Sequence, residues 1–114
     1  MLFFDSSEFI VKKITASGMF LGTFEGLSFE EKKWSIDTGD IFFMYTDGLV
    51  EAMNGSREQY GYDRLVSKLM MFSDYPAERL VKEIMEDVRD FTAGAPFEDD
   101  ITILVIKRNK KEEK

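Results

Sequence analysis

Five consecutive apolar residues, Ile41-Phe42-Phe43-Met44-Tyr45, lie between two acidic turn signals, Asp37-Thr38-Gly39-Asp40 and Thr46-Asp47-Gly48. A run so short, with no polar residue at alternate positions, reads as a central strand buried on both faces. The rest of the chain must then supply strands to pair with it and helices to cover it. Leu2-Phe3-Phe4 and Phe9-Ile10-Val11, separated by Asp5-Ser6-Ser7-Glu8, have the form of two strands joined by a tight polar turn. Gly18, Gly22 and Gly26 punctuate the next stretch, which reads as a loop whose Met19, Phe20 and Leu21 make buried contacts. Residues 27–36 carry β-favouring Phe29, Trp34 and Ile36 around a charged middle, the pattern of an edge strand with one wet face.

Beyond the central run the period changes. Leu65, Val66, Leu69 and Met70 recur at helical spacing over residues 62–72. Asp74 with Pro76 opens a second helix carrying Leu80, Val81, Ile84, Met85 and Val88 on one face, and Gly94 closes it. These apolar stripes would cover one face of the sheet. Residues 101–106 form a last β-rich strand. The order of elements gives an α+β class, an antiparallel sheet packed by two helices.

With 114 residues there is room for one small domain, here residues 1–107, followed at 108–114 by a charged tail with nothing to bury and an expectation of disorder. The net charge of -7 repels a phosphate backbone and an anionic bilayer, so neither nucleic acid nor direct membrane contact is expected. The chain has no His and no Cys, which removes the usual proton shuttle and the thiolate nucleophile. Chemistry must therefore run on carboxylates, hydroxyls, Lys, Arg or a metal, and oxygen ligands select a hard ion such as Mg²⁺ or Mn²⁺. Absence of Cys also fits a reducing cytoplasm. Met1-Leu2-Phe3-Phe4 lacks the basic start and the length of a secretory signal.

Two acidic sites stand out: Asp47, in the turn after the central strand, and Asp99-Asp100, just before the last one. Neighbouring strand ends would bring their carboxylates together, while Gly48 lets the backbone turn sharply and approach closely. Each piece also has a plainer reading. Asp-Gly is a common turn dipeptide, and an acidic pair before a strand is commonly a solvated loop. Glu51 could orient a ligand or cap the segment that follows. Arg57, Arg64 and Arg79 do not converge on Asp47 and suit solvated helix faces.

Taken together, the string from Gly39 through Thr46-Asp47-Gly48-Leu49-Val50-Glu51-Ala52, then Tyr60-Gly61, then Asp99-Asp100-Ile101-Thr102, resembles the sporulation-protein-E/RsbU-like branch of the PP2C (PPM) phosphatases. Ser17-Gly18-Met19-Phe20-Leu21-Gly22 sits where that family has a Gly-rich loop ending in Leu-Gly. The resemblance implies the C-terminal half of a catalytic domain, about half of an α-β-β-α sandwich. It implies removal of phosphate from Ser or Thr of a signalling partner, for example an anti-sigma-factor antagonist, with two Mn²⁺ or Mg²⁺ ions and no protein nucleophile.

By position, Asp47 and Asp99 match metal ligands, Gly48 lies in the liganding turn, and Asp100 is an orienting or capping residue. The family's other Asp-Gly motif, whose Asp bridges the two ions, has no counterpart before Asp40. A partial site, an inactive isolated chain and self-association through an uncovered sheet face or edge are the expectations that follow. The alternative is a non-catalytic interaction module or pseudophosphatase built on the same fold.

Overall fold

The computed structural model describes residues 1–14 and 33–109. Four strands and two helices follow in the order β1 (Leu2–Asp5), β2 (Ile10–Lys13), β3 (Ile41–Tyr45), α1 (Tyr62–Met71), α2 (Ala77–Thr92) and β4 (Ile103–Lys107). The strands form one sheet in the order β2-β1-β3-β4. Every pairing is antiparallel, with Leu2 opposite Phe43 and Phe43 opposite Val105 across the centre.

The hairpin forms where the polar turn predicts it. Asp5 Oδ1 accepts from Ser7 N at 3.0 Å, Ser7 Oγ at 2.6 Å and Glu8 N at 3.2 Å, a side chain standing in for the next turn of backbone. Phe9 takes up φ 55 to close the turn. At the start of β3, the buried Asp40 carboxylate ties this hairpin to the Asp37–Asp40 turn. It accepts from Ser6 N at 2.9 Å, Ser6 Oγ at 2.8 Å and Asp37 N at 2.8 Å. Burial alone would raise its pKa, but the hydrogen bonds outweigh that and hold it below the ordinary carboxylate value.

Both helices lie on one face of the sheet, and the core sits between. Leu65 and Leu69 from α1 and Leu80, Ile84 and Val88 from α2 are fully buried at intervals of four residues, against Leu2, Phe4, Ile41 and Phe43 from the sheet. Helix α2 starts at Ala77 after Pro76 rather than on an Asp74 side-chain cap. It ends on Ala93, at φ 52, one residue ahead of Gly94. The Lys107 ammonium donates to the carbonyls of Ser73 at 2.7 Å and Tyr75 at 2.8 Å, clasping the α1–α2 connection to the end of β4.

Two readings are corrected. β3 is central in its pairing but is not buried on both faces: Ile41 and Phe43 point into the core, while Phe42 and Met44 are only half-buried. On the same outer face Leu104 and Ile106 of β4 are 55% and 50% exposed. Helices cover one side of the sheet, so alternate residues of an all-apolar strand meet two different environments. Residues 33–36 form no strand. Trp34 instead sets its ring edge against Phe3 at 5.4 Å, and Arg108 Nη1 holds the Ile36 carbonyl at 2.7 Å.

Residues 27–32, and the Gly18-to-Gly26 loop, lie outside the described residues. Arg108, assigned to the tail, still exchanges backbone hydrogen bonds with Gly39 and Asp40. Residues 110–114 are also outside the description. Among the described residues, no helix is long and apolar enough to cross a membrane.

Candidate metal centre

β3 and β4 run side by side until Tyr45 faces Ile103, and the acidic segments leave the sheet there, one from each strand. Past Tyr45 the chain turns: Leu49 N donates to Thr46 O at 3.1 Å and Glu51 N to Asp47 O at 3.0 Å. The turn is packed directly on the other loop. A Cβ on Gly48 would stand 2.4 Å from the Asp100 carbonyl oxygen and 3.4 Å from that of Asp99, a fit that only glycine allows. Thr46 crosses the same gap, its N–H donating to Thr102 O at 3.1 Å and its hydroxyl accepting from Thr102 N at 3.0 Å.

The structure thus gathers Asp47, Gly48, Asp99 and Asp100 at one end of the sheet. Gly48 is buried, while Asp47, Asp99 and Asp100 are exposed. Asp99 Oδ1 accepts from Asp100 N at 2.9 Å, which orients that carboxylate within its own loop. Beside the turn is a cleft of about 240 Å³ lined by Gly48, Glu51, Ala52, Met53, Gln59, Glu98 and Asp99. Its polar lining is oxygen-rich and acidic, the donor chemistry of a hard dication. Among the described residues, however, no three acidic side chains gather closely enough to hold an ion by themselves.

Glu51 is exposed at the mouth of this cleft, and no helix begins behind it to be capped, since α1 starts at Tyr62. The capping role is therefore set aside. The intervening segment is instead a small bridged loop, Met53 pairing with Gln59 and Asn54 Oδ1 accepting from Ser56 N and Glu58 N. The Asn54-Gly55 dipeptide is the signal that would have marked it. The arginines stay away from the cleft: Arg64 stacks 4.1 Å over Phe91, Arg79 3.8 Å over Tyr75, and Arg57 sits in the bridged loop at φ 60.

Thr46 and Tyr60, both members of the family-like string, make contacts that no local pattern announces. Thr46, directly before Asp47, joins the two acidic segments. Tyr60, 1% exposed, donates its phenol to Asp87 Oδ2 at 2.6 Å and ties the segment after the Asp-Gly turn to α2. Tyr60 N also bonds Ala52 O at 2.7 Å, and Gly61 N bonds Val50 O at 2.9 Å. The far end of the Asp47 segment is thereby fixed to the helical layer.

An antiparallel sheet with a helical pair on one face, and with an Asp-Gly turn seated on an acidic loop at its end, is part of a PP2C-like domain. Residues 1–109 match the family model of Stage II sporulation protein E (SpoIIE), and the chain belongs to that family. It is 27% identical over 109 residues to Protein IcfG of Synechocystis sp. (strain ATCC 27184 / PCC 6803 / Kazusa), a match over 95% of this chain and 17% of that protein. Among solved structures it resembles the SiaA-PP2C domain of Pseudomonas aeruginosa with a TM-score of 0.65 and 21% identity, over 74% of this chain and 35% of that one. The chain therefore spans only a minor part of the length of either relative.

Proposed function

We propose that this chain is the C-terminal portion of a metal-dependent protein serine/threonine phosphatase, acting in the cytoplasm on a phosphoserine or phosphothreonine monoester of a signalling protein such as an anti-sigma-factor antagonist. The observation that carries this reading is the seating of Gly48 on the Asp99-Asp100 backbone, which brings Asp47 and Asp99 to the same end of the sheet. Their carboxylates would hold Mn²⁺ or Mg²⁺, with Gly48 keeping the backbone close and Asp100 fixing the loop. The metal would supply Lewis-acid activation of water and charge to offset the phosphoryl oxygens.

The chain's own part is to aim these oxygens from two strand ends, so that little has to reorganise when charge develops at phosphorus. Carboxylates repel a phosphate, and a dication held between them would relieve that repulsion. The remaining ligands must then come from outside the described residues, which makes the isolated chain a weak binder and a poor catalyst. A second reading, an interaction module without hydrolysis, is favoured by one fact: no three acidic side chains converge among the described residues.

Thermal unfolding with rising Mn²⁺ separates the two, because an ion at 100 times its dissociation constant adds about 2.7 kcal/mol. Stabilisation of the wild type but not of Asp47→Asn or Asp99→Asn supports the phosphatase reading. An equal response, or none, of all three favours the interaction module.

A further inference from the structure

We propose that Thr46 is the positioning residue that sets the Asp47-Gly48 turn against the Asp99-Asp100 loop and thereby tunes their affinity for a divalent cation; the affinity part rests on the metal-holding reading above. The argument starts from the ladder. After Tyr45 and Ile103, the next antiparallel pair is Thr46 with Thr102, which should exchange two backbone hydrogen bonds. Only one of them is made, from Thr46 N to Thr102 O at 3.1 Å. The Thr46 carbonyl has turned away to accept from Leu49 N, the bond that folds the chain into the Asp47-Gly48 turn.

That turn would leave Thr102 N without its ladder partner. The Thr46 side chain takes the place of its own carbonyl: Oγ1 accepts from Thr102 N at 3.0 Å. The same hydroxyl then donates its proton to Asp100 O at 3.3 Å. This is the carbonyl oxygen that a Cβ on Gly48 would meet at 2.4 Å. One hydroxyl, using both its donor and its acceptor capacity, thus lets the backbone leave the sheet and holds the opposing loop at the distance Gly48 requires.

Thr46 is itself exposed. Water can satisfy Thr102 N and Asp100 O if the hydroxyl is lost, so the fold survives while the spacing of the loops relaxes. A purely structural role predicts the reverse, a loss of stability with no selective effect at the acidic loops.

The test compares the full chain with Thr46→Val, Thr46→Ser and Asp99→Asn. Free Mn²⁺ is followed by its electron paramagnetic resonance signal, and the Thr102 amide by hydrogen exchange. Thr46→Val is expected to weaken Mn²⁺ binding about 10- to 100-fold, the range for losing a group that orients a ligand. It should also speed exchange at Thr102 at an unchanged melting temperature, with Thr46→Ser restoring both.

Wild-type affinity in Thr46→Val, or equal protection of Thr102, overturns the proposal. If the wild type takes up no Mn²⁺, or Asp99→Asn binds as well as it does, the metal reading falls and the affinity clause with it. Exchange at Thr102 then still decides whether Thr46 holds the loop.

Discussion

The Tyr60 phenol and the Asp87 carboxylate meet at 2.6 Å across the interface between the Asp47 segment and α2, with Lys68 of α1 3.4 Å from the other Asp87 oxygen. One carboxylate therefore joins three parts of the chain. Tyr60 also packs its ring edge-on to Phe91, with centroids 5.6 Å apart, and belongs to the buried core. Tyr60→Phe keeps the ring and removes the bond, and is expected to cost about 1.5–3 kcal/mol, the range for a hydrogen bond to a charged group. Urea unfolding measures it.

The same pair gives an alkaline signature. Burial first, then the hydrogen bond and charge of Asp87, raise the Tyr60 pKa well above the ordinary phenol value of 10.0. The neutral phenol is favoured by the fold, so its contribution is intact below pH 10 and is eroded as the unfolded chain begins to ionise above it. Tyrosinate absorbance from Tyr60 is expected to appear in the same step as loss of helix on alkaline titration. Ionisation of all the tyrosines ahead of unfolding would contradict this.

Asp40 gives the opposite sign at low pH. Its pKa is held below the ordinary carboxylate value of 3.8, so its stabilising effect is present above about pH 4 and fades as pH falls through the lower, folded value. Asp40→Asn is expected to cost about 1–3 kcal/mol at neutral pH. In acid the difference between variant and wild type should shrink, which unfolding curves at several pH values would follow.

Gly48→Ala places a methyl group where the Asp100 carbonyl oxygen lies. Because the obstacle is backbone, the two loops must separate, at a cost of about 1–3 kcal/mol. Mn²⁺ stabilisation should be lost in this variant even though both carboxylates remain. Retention of the full Mn²⁺-induced shift would show that the close approach is irrelevant to binding.

Ala93 closes α2 in a left-handed conformation that costs a residue with a Cβ about 1–2 kcal/mol. Ala93→Gly is expected to raise stability by about 0.5–1 kcal/mol once the greater freedom of glycine in the unfolded chain is subtracted. A melting curve with an unchanged profile and a higher midpoint is the outcome to look for.

Local patterns were legible in the sequence, and long-range partnerships were not. Leu65, Leu69, Leu80, Ile84 and Val88 announce their helices because burial of one stripe repeats with the helical period. The hairpin is equally plain, since Asp5 folds the turn locally by accepting from Ser7 and from the Glu8 amide. The Ile41-to-Tyr45 run says only that a strand forms; how much of its outer face is covered depends on what packs there, which the run itself does not encode.

Trp34 favours β structure only in the sense that it suits a half-buried surface, and it finds one on Phe3 without joining the ladder. At the candidate site, Asp47, Gly48, Asp99 and Asp100 stand out as an acidic turn and an acidic loop beside strand ends, and their order resembles a family. The role of Thr46 depends on Asp100 and Thr102, more than fifty residues away, and that of Asp40 on Ser6, in a different strand connection. Neither partnership leaves a local pattern in the chain.

Lys107 gives β4 a second anchorage. The strand begins just after the acidic loop and ends with an ammonium gripping the Ser73 and Tyr75 carbonyls between the helices. A β-strand is already near full extension, at about 3.3 Å per residue, and cannot lengthen under load. β4 thus spans the molecule from the acidic loop to the connection between the helices, and the same five residues that pair with β3 set the distance between those two places.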